Sequence, residues 1–333
     1  MDVMYRLKKM MGLRVLITGG MGFIGSNLAH KLISLGANVT LYDAMLPQYG
    51  GNPANIREIK NKVEFVKGDT RNFKLLAKNV REKDVVFNLA AQVSHPISIS
   101  HPLLDVEINC IGNLNLLEAC RRFNKDAVIV YSGTRGQTGD AVYLPVDEKH
   151  PDNPLDINGI DKLAAEKYHL LYNRLYGIPA VSIRIGNTYG PRHQMKHGQY
   201  GVLNYFIRKA LLGEIIEVYG DGKQIRDYCY VDDVVDALIL AAQKKSAIGE
   251  VFLIGSGERM RFIDMVRKVI ECVGRGSYKF VPFPPGRKAI DVRNYYVSNK
   301  KIKSMLGWEP KTSFDTGLRK TVEFYKKRLN EYI

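Results

Sequence analysis

At 333 residues the chain can hold one large domain or two intimate ones around a substantial core. Its 45% hydrophobic and 25% charged residues are those of a globular protein and argue against a disordered or membrane-embedded one. The net charge of +15 suits an anionic ligand. The basic residues are scattered (Arg121–Arg122, Lys244–Lys245, Lys300–Lys303, Lys326–Arg328) without a tract interleaved with aromatics, so no nucleic-acid or membrane partner is expected.

Cys110, Cys120, Cys229 and Cys272 lie far apart and form no CxxC, which predicts a reducing, cytoplasmic setting and no metal site. The basic start MDVMYRLKKM reads as an extension ahead of the first strand. The apolar run that follows is broken by Gly12 and Arg14, so neither a signal peptide nor a membrane span is expected.

In chain order, Leu13–Ile17 predicts a buried parallel strand, and Gly19, Gly22 and Gly25 open a helix that continues through Asn27–Leu35. Such glycines allow a tight turn, close approach of a pyrophosphate, and close packing of helix on strand. Asp43 ends the next strand, Asn38–Asp43, about where an acid meets a nucleotide ribose. The stretch therefore predicts a bound dinucleotide, and the carboxylate favours NAD over its 2′-phosphorylated relative.

A turn-rich loop (Leu46–Pro53) and a short helix to about Lys60 precede a strand at Val63–Lys67. A helix follows around Leu75–Lys78, then a strand at Val85–Leu89, a loop at His95–His101 and a long helix over 103–123. The fifth strand, Ala127–Tyr131, is followed by Ser132, Gly133 and Thr134; a helix over 159–176 and a strand at Ala180–Ile185 come next. This alternation predicts an α/β chain with a doubly wound parallel sheet whose ligand lies at the carboxyl ends of the strands, with Gln92, Thr134 and Asn187 lining one crevice. Beyond Gly190–Pro191 the rhythm changes. Helices are expected at Leu203–Leu212, Val231–Gln243 and Phe262–Val273, strands at Ile215–Tyr219 and Val251–Ile254, and an irregular segment at 281–287. The expected division is a cofactor domain over 12–187, with 227–255 returning to it, and a smaller α/β C-terminal substrate lobe over 188–226 and 256–333.

The motifs TGGMGFIG (18–25), KGDTRN (67–72), NLAAQ (88–92), INCIGNLNLLEAC (108–120), RIGNTYGPR (184–192), DGKQIRDYCYVDD (221–233) and LGWEP (306–310) stand in order. Together they resemble the extended short-chain dehydrogenase/reductase family, and within it the NAD-dependent sugar-nucleotide epimerases and dehydratases. The resemblance implies a Rossmann domain that holds NAD through Gly19, Gly22, Phe23, Ile24 and Gly25. Asp43 would meet the ribose, Asp69 the adenine, and Ala90 and Gln92 the pyrophosphate and nicotinamide side. It also implies a nucleotide-diphosphate sugar substrate contacted by Asn187, Arg226 and Arg287. Arg184, on the same strand, is either a further contact or a buried structural pair. A homodimer built on the helices near 103–123 and 159–176 is implied as well.

The family's reaction uses a Ser or Thr after the fifth strand and a YxxxK pair one helical turn apart. Thr134 and Lys162 match, but Asn158 stands at the tyrosine position. Asparagine has no titratable proton and cannot be the base. Three explanations stay open: another base, with His95, Tyr189 and Asp161 as candidates; a water held by Asn158 and Thr134; or a protein that binds without turning over. A second departure concerns the dehydratase branch, which carries Asp–Glu after its threonine, and the decarboxylase branch, which expects a Glu there. Here Arg135 and Gly136 follow. Epimerisation needs neither acid, so epimerase is the leading reading, with Arg135 contacting a substrate hydroxyl or phosphate.

Overall fold

Seven strands form one parallel sheet in the computed structural model, which describes residues 10–46, 49–284 and 293–333. They are β1 (Arg14–Thr18), β2 (Asn38–Asp43), β3 (Val63–Lys67), β4 (Val85–Asn88), β5 (Val128–Thr134), β6 (Ala180–Ile185) and, later in the chain, Val251–Ile254. The order runs Val251–Ile254, β6, β5, β4, β1, β2, β3. It grows outward from β1 in both directions, so the crevice outside the carboxyl ends of β1 and β4 is the switch point where such sheets bind ligands.

β1 shows why these runs become central strands. Val15 and Ile17 join one fully buried cluster with Leu28 and Leu32, whereas Leu16 faces the other with Val86, Leu116 and Ile129. A strand buried on both faces needs apolar residues at every position rather than alternate ones. Each such side chain contributes roughly 1.5–3 kcal/mol through its removal from water.

The flanking helices are α1 (Phe23–Ser34), α2 (Phe73–Val80), α3 (His95–Ser100), α4 (Pro102–Val106), α5 (Gly112–Phe123) and α6 (Ile157–Tyr176). The expected loop at 95–101 is thus largely helical: Ser94 accepts the Ile97 amide at 3.2 Å and Pro96 sits in the first turn, two signals that start a helix. The expected helix over 103–123 contains a π-helical turn at Glu107–Ile111 between α4 and α5. β5 also runs further than expected, through Ser132 and Gly133 to Thr134.

Past β6 come β7 (Asn187–Tyr189), α7 (Val202–Leu212), β8 (Ile215–Tyr219), β9 (Ile225–Arg226), β10 (Tyr228–Tyr230), α8 (Val231–Gln243) and β11 (Val251–Ile254). β12 (Met260–Arg261), α9 (Phe262–Val273), β13 (Ser277–Val281), α10 (Lys300–Leu306) and α11 (Phe314–Arg328) complete the chain. Three small pairs also form, β7 with β10, β9 with β12 and β8 with β13; β8 matches its expected bounds, whereas β13 and the two- and three-residue strands of the other pairs were not expected, the latter carrying too little periodicity to register. The motif around Trp308 closes this region: its indole donates to the Asp233 carbonyl at 3.0 Å, and the Asp233 carboxylate accepts the Lys311 and Thr312 amides. Residues 1–9 of the expected extension, and Arg287, lie outside the described residues. Among the described residues no helix is long and apolar enough to cross a membrane.

Candidate active site

The carboxyl ends of β1, β2, β4, β5 and β6 open onto one cavity of about 800 Å³. Its floor is the glycine turn. A side chain on Gly19, whose φ is +69°, would begin 2.9 Å from the Ala90 amide nitrogen, and one on Gly25 would collide with the Gly19 carbonyl. Bare backbone therefore faces the cavity at the amino end of α1, the arrangement that receives a phosphate. The ends of β1 and β4 are pinned by Thr18, which donates to Asn88 Oδ1 at 2.8 Å and accepts the Leu89 and Ala90 amides at 3.1 Å.

Phe23, Ile24, Asp43, Asp69, Ala90 and Gln92 all line the cavity. Asp43 accepts the amides of Met21 and Met45 at 3.0 and 2.8 Å; burial nevertheless holds its carboxyl above the ordinary range. Asp69 is buried enough to raise its pKa, but the paired Arg71 guanidinium, 2.7 Å away, outweighs this and keeps it low. Gln92 commits its side chain inward: its amide nitrogen donates to Ser94 and Asp105, and its oxygen accepts the Ser94 amide.

At the other end Thr134, Arg135, Asn158, Lys162, Asn187 and Arg226 line the same cavity. Thr134 Oγ1 accepts the Gly136 amide at 3.2 Å, and its own amide donates to Gln137 at 2.7 Å. Arg135 Nε donates to Asn187 at 3.1 Å. Lys162 is buried over the Tyr131 ring at 4.5 Å, and desolvation pushes it down to about 8 against the opposing charges of Asp105 and Glu166. Asn158 donates to the Gln92 carbonyl at 2.7 Å. Arg226 is buried and donates to the carbonyls of Ile225 and Arg293.

The three suggested substitute bases separate cleanly. Tyr189 is buried away from the cavity, and its hydroxyl donates to the Phe314 carbonyl at 3.0 Å. Asp161 also lies off the cavity, against Asp105 and Cys110. His95 lines the cavity, and its Nδ1 meets Asp156 at 2.5 Å. Arg184 resolves as a structural pair: it bonds buried Glu166 at 2.6 Å and Asp152 at 2.6 Å. Asp156 and Tyr228, both on the cavity wall, escaped the sequence reading. Asp156 carries an N-cap signal at the start of α6, which sequence reasoning attaches to helix capping alone; Tyr228 lies inside a recognised motif among other aromatics.

The arrangement offers bare backbone suited to a phosphate at the glycine turn and, at the other end of the same cavity, the Thr134 hydroxyl and the Lys162 ammonium. The chain matches the model of the NAD dependent epimerase/dehydratase family over residues 15–255. It is similar to the UDP-glucose 4-epimerase of Mycolicibacterium smegmatis, at 33% identity over 319 residues, 95% of this chain and 99% of that one. It is also similar to the dTDP-glucose 4,6-dehydratase of Xanthomonas campestris pv. campestris, at 30% identity over 336 residues, 93% and 92% of the two chains. Among solved structures, the UDP-glucose 4-epimerase of Thermus thermophilus in complex with NAD matches with a TM-score of 0.85 and 33% identity, over 95% of this chain and 100% of that one.

Proposed function

Because the chain belongs to the NAD-dependent epimerase/dehydratase family, we propose that it epimerises a nucleotide-diphosphate sugar by transient oxidation and re-reduction. NAD is the cofactor, and when bound it supplies the acceptor, then the donor, of one hydride. Gly19, Gly22, Phe23, Ile24 and Gly25 hold its pyrophosphate side, Asp43 its adenosine ribose, Asp69 its adenine edge, and Ala90, Gln92 and Lys162 its nicotinamide half. Thr134 orients the reacting hydroxyl, Asn158 fixes the loop beside it, and Arg135, Asn187 and Arg226 meet the substrate, with Arg287 proposed from sequence for its diphosphate. Guanidinium groups suit that bidentate contact.

The observation that carries epimerisation is the pair Arg135–Gly136. Elimination needs an acid and a base beside the sugar, and the two positions after Thr134 offer a cation and no side chain. Epimerisation needs one proton acceptor and a keto-sugar free to turn its other face. Dehydration is the second reading, supported by the comparable likeness to the Xanthomonas enzyme. The test is incubation of the NAD-loaded protein with UDP-, GDP-, CDP- and dTDP-sugars in D₂O. Epimers without carbon-bound deuterium are expected; deuterium at C5 selects dehydration. Absence of any reduced nicotinamide on mixing leaves a binding protein.

We further propose a homodimer. Ile160, Leu171 and Leu175 lie 11 and 4 residues apart on one face of α6 and are exposed, as is Leu103 at 78% on α4. Both elements lie side by side, so a second copy can cover them with the same two helices, an isologous arrangement.

A further inference from the structure

The family's usual phenol is missing at position 158, and we infer that the His95–Asp156 pair replaces it: His95 Nε2 takes the proton of the reacting sugar hydroxyl and later returns it. This rests on the epimerase reading above.

Three observations support the assignment. First, place. A side chain on Gly136 would begin at a point 3.2 Å from His95 Cε1 and 3.7 Å from Thr134 Oγ1, so the ring and the hydroxyl flank one small volume of the cavity. Glycine at 136 leaves the space into which the ring fits.

Second, tautomer. Asp156 is 7% exposed at its side chain; burial raises its pKa, but the bond and charge of His95, the Gly159 amide and Arg135 together hold the carboxyl below the ordinary range. An ionised carboxylate only accepts, so Nδ1 carries the hydrogen and Nε2 is the ring nitrogen left to take up or release a proton. Nε2 has no protein hydrogen-bond partner among the described residues, and the side chain is 37% exposed toward the cavity. Asp156 is itself fixed, because its other oxygen caps α6 by accepting the Gly159 amide at 2.8 Å.

Third, elimination of rivals. Asn158 cannot ionise, Lys162 is a buried cation over Tyr131, and Arg135 stays charged. Tyr228 also faces the cavity, but burial holds its phenol well above the ordinary value, so it keeps its proton.

In the forward step the sugar O–H bond breaks and its electron pair forms the carbonyl. The proton bonds to Nε2, and the hydride leaves the same carbon for the oxidised nicotinamide. On the return the imidazolium N–H breaks and the proton goes back to oxygen, so the ring ends as it began. Asp156 is a positioning residue here.

The test uses NAD-loaded wild type, His95→Ala and Asp156→Asn, the last keeping a cap acceptor. His95→Ala should bind the converted sugar nucleotide within about threefold by calorimetry, yet lose turnover by about 10²–10⁴. Added imidazole should restore turnover. Independently of turnover, ¹⁵N NMR of the ring in the NAD-loaded protein should show Nδ1 protonated and Nε2 bare, with the balance shifted in Asp156→Asn. The assignment is overturned by wild-type hydride transfer in His95→Ala, by a loss confined to binding, or by an Nε2-protonated ring. Failure of Tyr228→Phe where His95→Ala works, or deuterium entering a carbon through His95, overturns it too. If wild type reduces its nicotinamide with no sugar nucleotide, the epimerase reading falls and this falls with it; the other outcomes remove the base alone.

Discussion

Asn158 donates its side-chain amide to the Gln92 carbonyl at 2.7 Å, joining the first turn of α6 to the loop after β4. The same carbonyl accepts Asn109 at 2.9 Å, so neither amide is its sole partner. Asn158→Ala should therefore cost about 1 kcal/mol, seen as a fall of about 2–4 °C in Tm, and lower turnover less than tenfold with NAD binding kept. Asn158→Asp sets a carboxylate against a carbonyl oxygen and should be clearly less stable at pH 8 than at pH 5. Thermal melts of the two variants across that range check both.

Much of this fold was legible because short runs rich in apolar and β-branched residues alternate with helical segments and end at polar residues or glycines, as β2, β3 and β6 show by matching their expected bounds. The glycine turn and Asp43 likewise announce a cofactor by local chemistry. What the sequence left open was which partners long-range folding supplies. His95 read as a loop residue because Asp156, 61 positions away, gives it meaning, and Arg184 was ambiguous until Glu166 met it in the core. The two- and three-residue strands of the C-terminal region were missed because they are too short to show a period.

Lys162 is pushed down to about 8, chiefly by burial. The unfolded chain, with a lysine near pKa ~10.4, binds more protons than the folded one between these values, so stability rises with pH through that window. Below pH 8 the cost of burying the cation is fully present. Lys162→Met should raise the stability of cofactor-free protein by roughly 1–3 kcal/mol at pH 7 and flatten the rise above pH 8, while weakening NAD binding and turnover together. Urea titrations at pH 7 and 9.5, with and without NAD, separate the two effects.

Asp161 has the opposite sign. Burial, and then the adjacent Asp105 carboxyl, push it up to about 7. Its folded-state pKa exceeds the unfolded value near ~3.9, so its contribution is present below pH ~4 and is lost as pH rises through 7. Asp161→Asn removes that loss. The variant should overtake wild type in stability between pH 5 and 8.5, read as crossing denaturation midpoints, and should keep turnover because Asp161 lies off the cavity.

The proposed dimer predicts a clean biochemical signature. Leu171→Glu and Leu103→Lys, each on an exposed apolar position, should convert a dimer of about twice 37.6 kDa to monomer in light scattering without lowering monomer helicity. An unchanged mass for wild type and variants at that of one chain removes the interface.

The buried ion pair of Arg184 and Glu166 reaches Thr134 through two further bonds. Glu166 is fully buried and accepts Arg184 at 2.6 Å, Ser182 at 2.8 Å and Gln137 at 3.0 Å; Gln137 in turn accepts the Thr134 amide at 2.7 Å. Removing one partner of such a pair strands the other charge in the core, which costs about 3–5 kcal/mol, a large share of the roughly 5–15 kcal/mol that holds a domain folded. Arg184→Met should show that loss in denaturant melts. Glu166→Gln keeps the volume and an acceptor but releases the guanidinium and loosens Gln137. It should lose less stability than Arg184→Met yet lower kcat with little change in KM, because the displaced group is the turn that presents Thr134. Equal losses in kcat for Glu166→Gln and for a surface variant such as Glu323→Gln would mean that the chain from Arg184 to Thr134 carries no positional information.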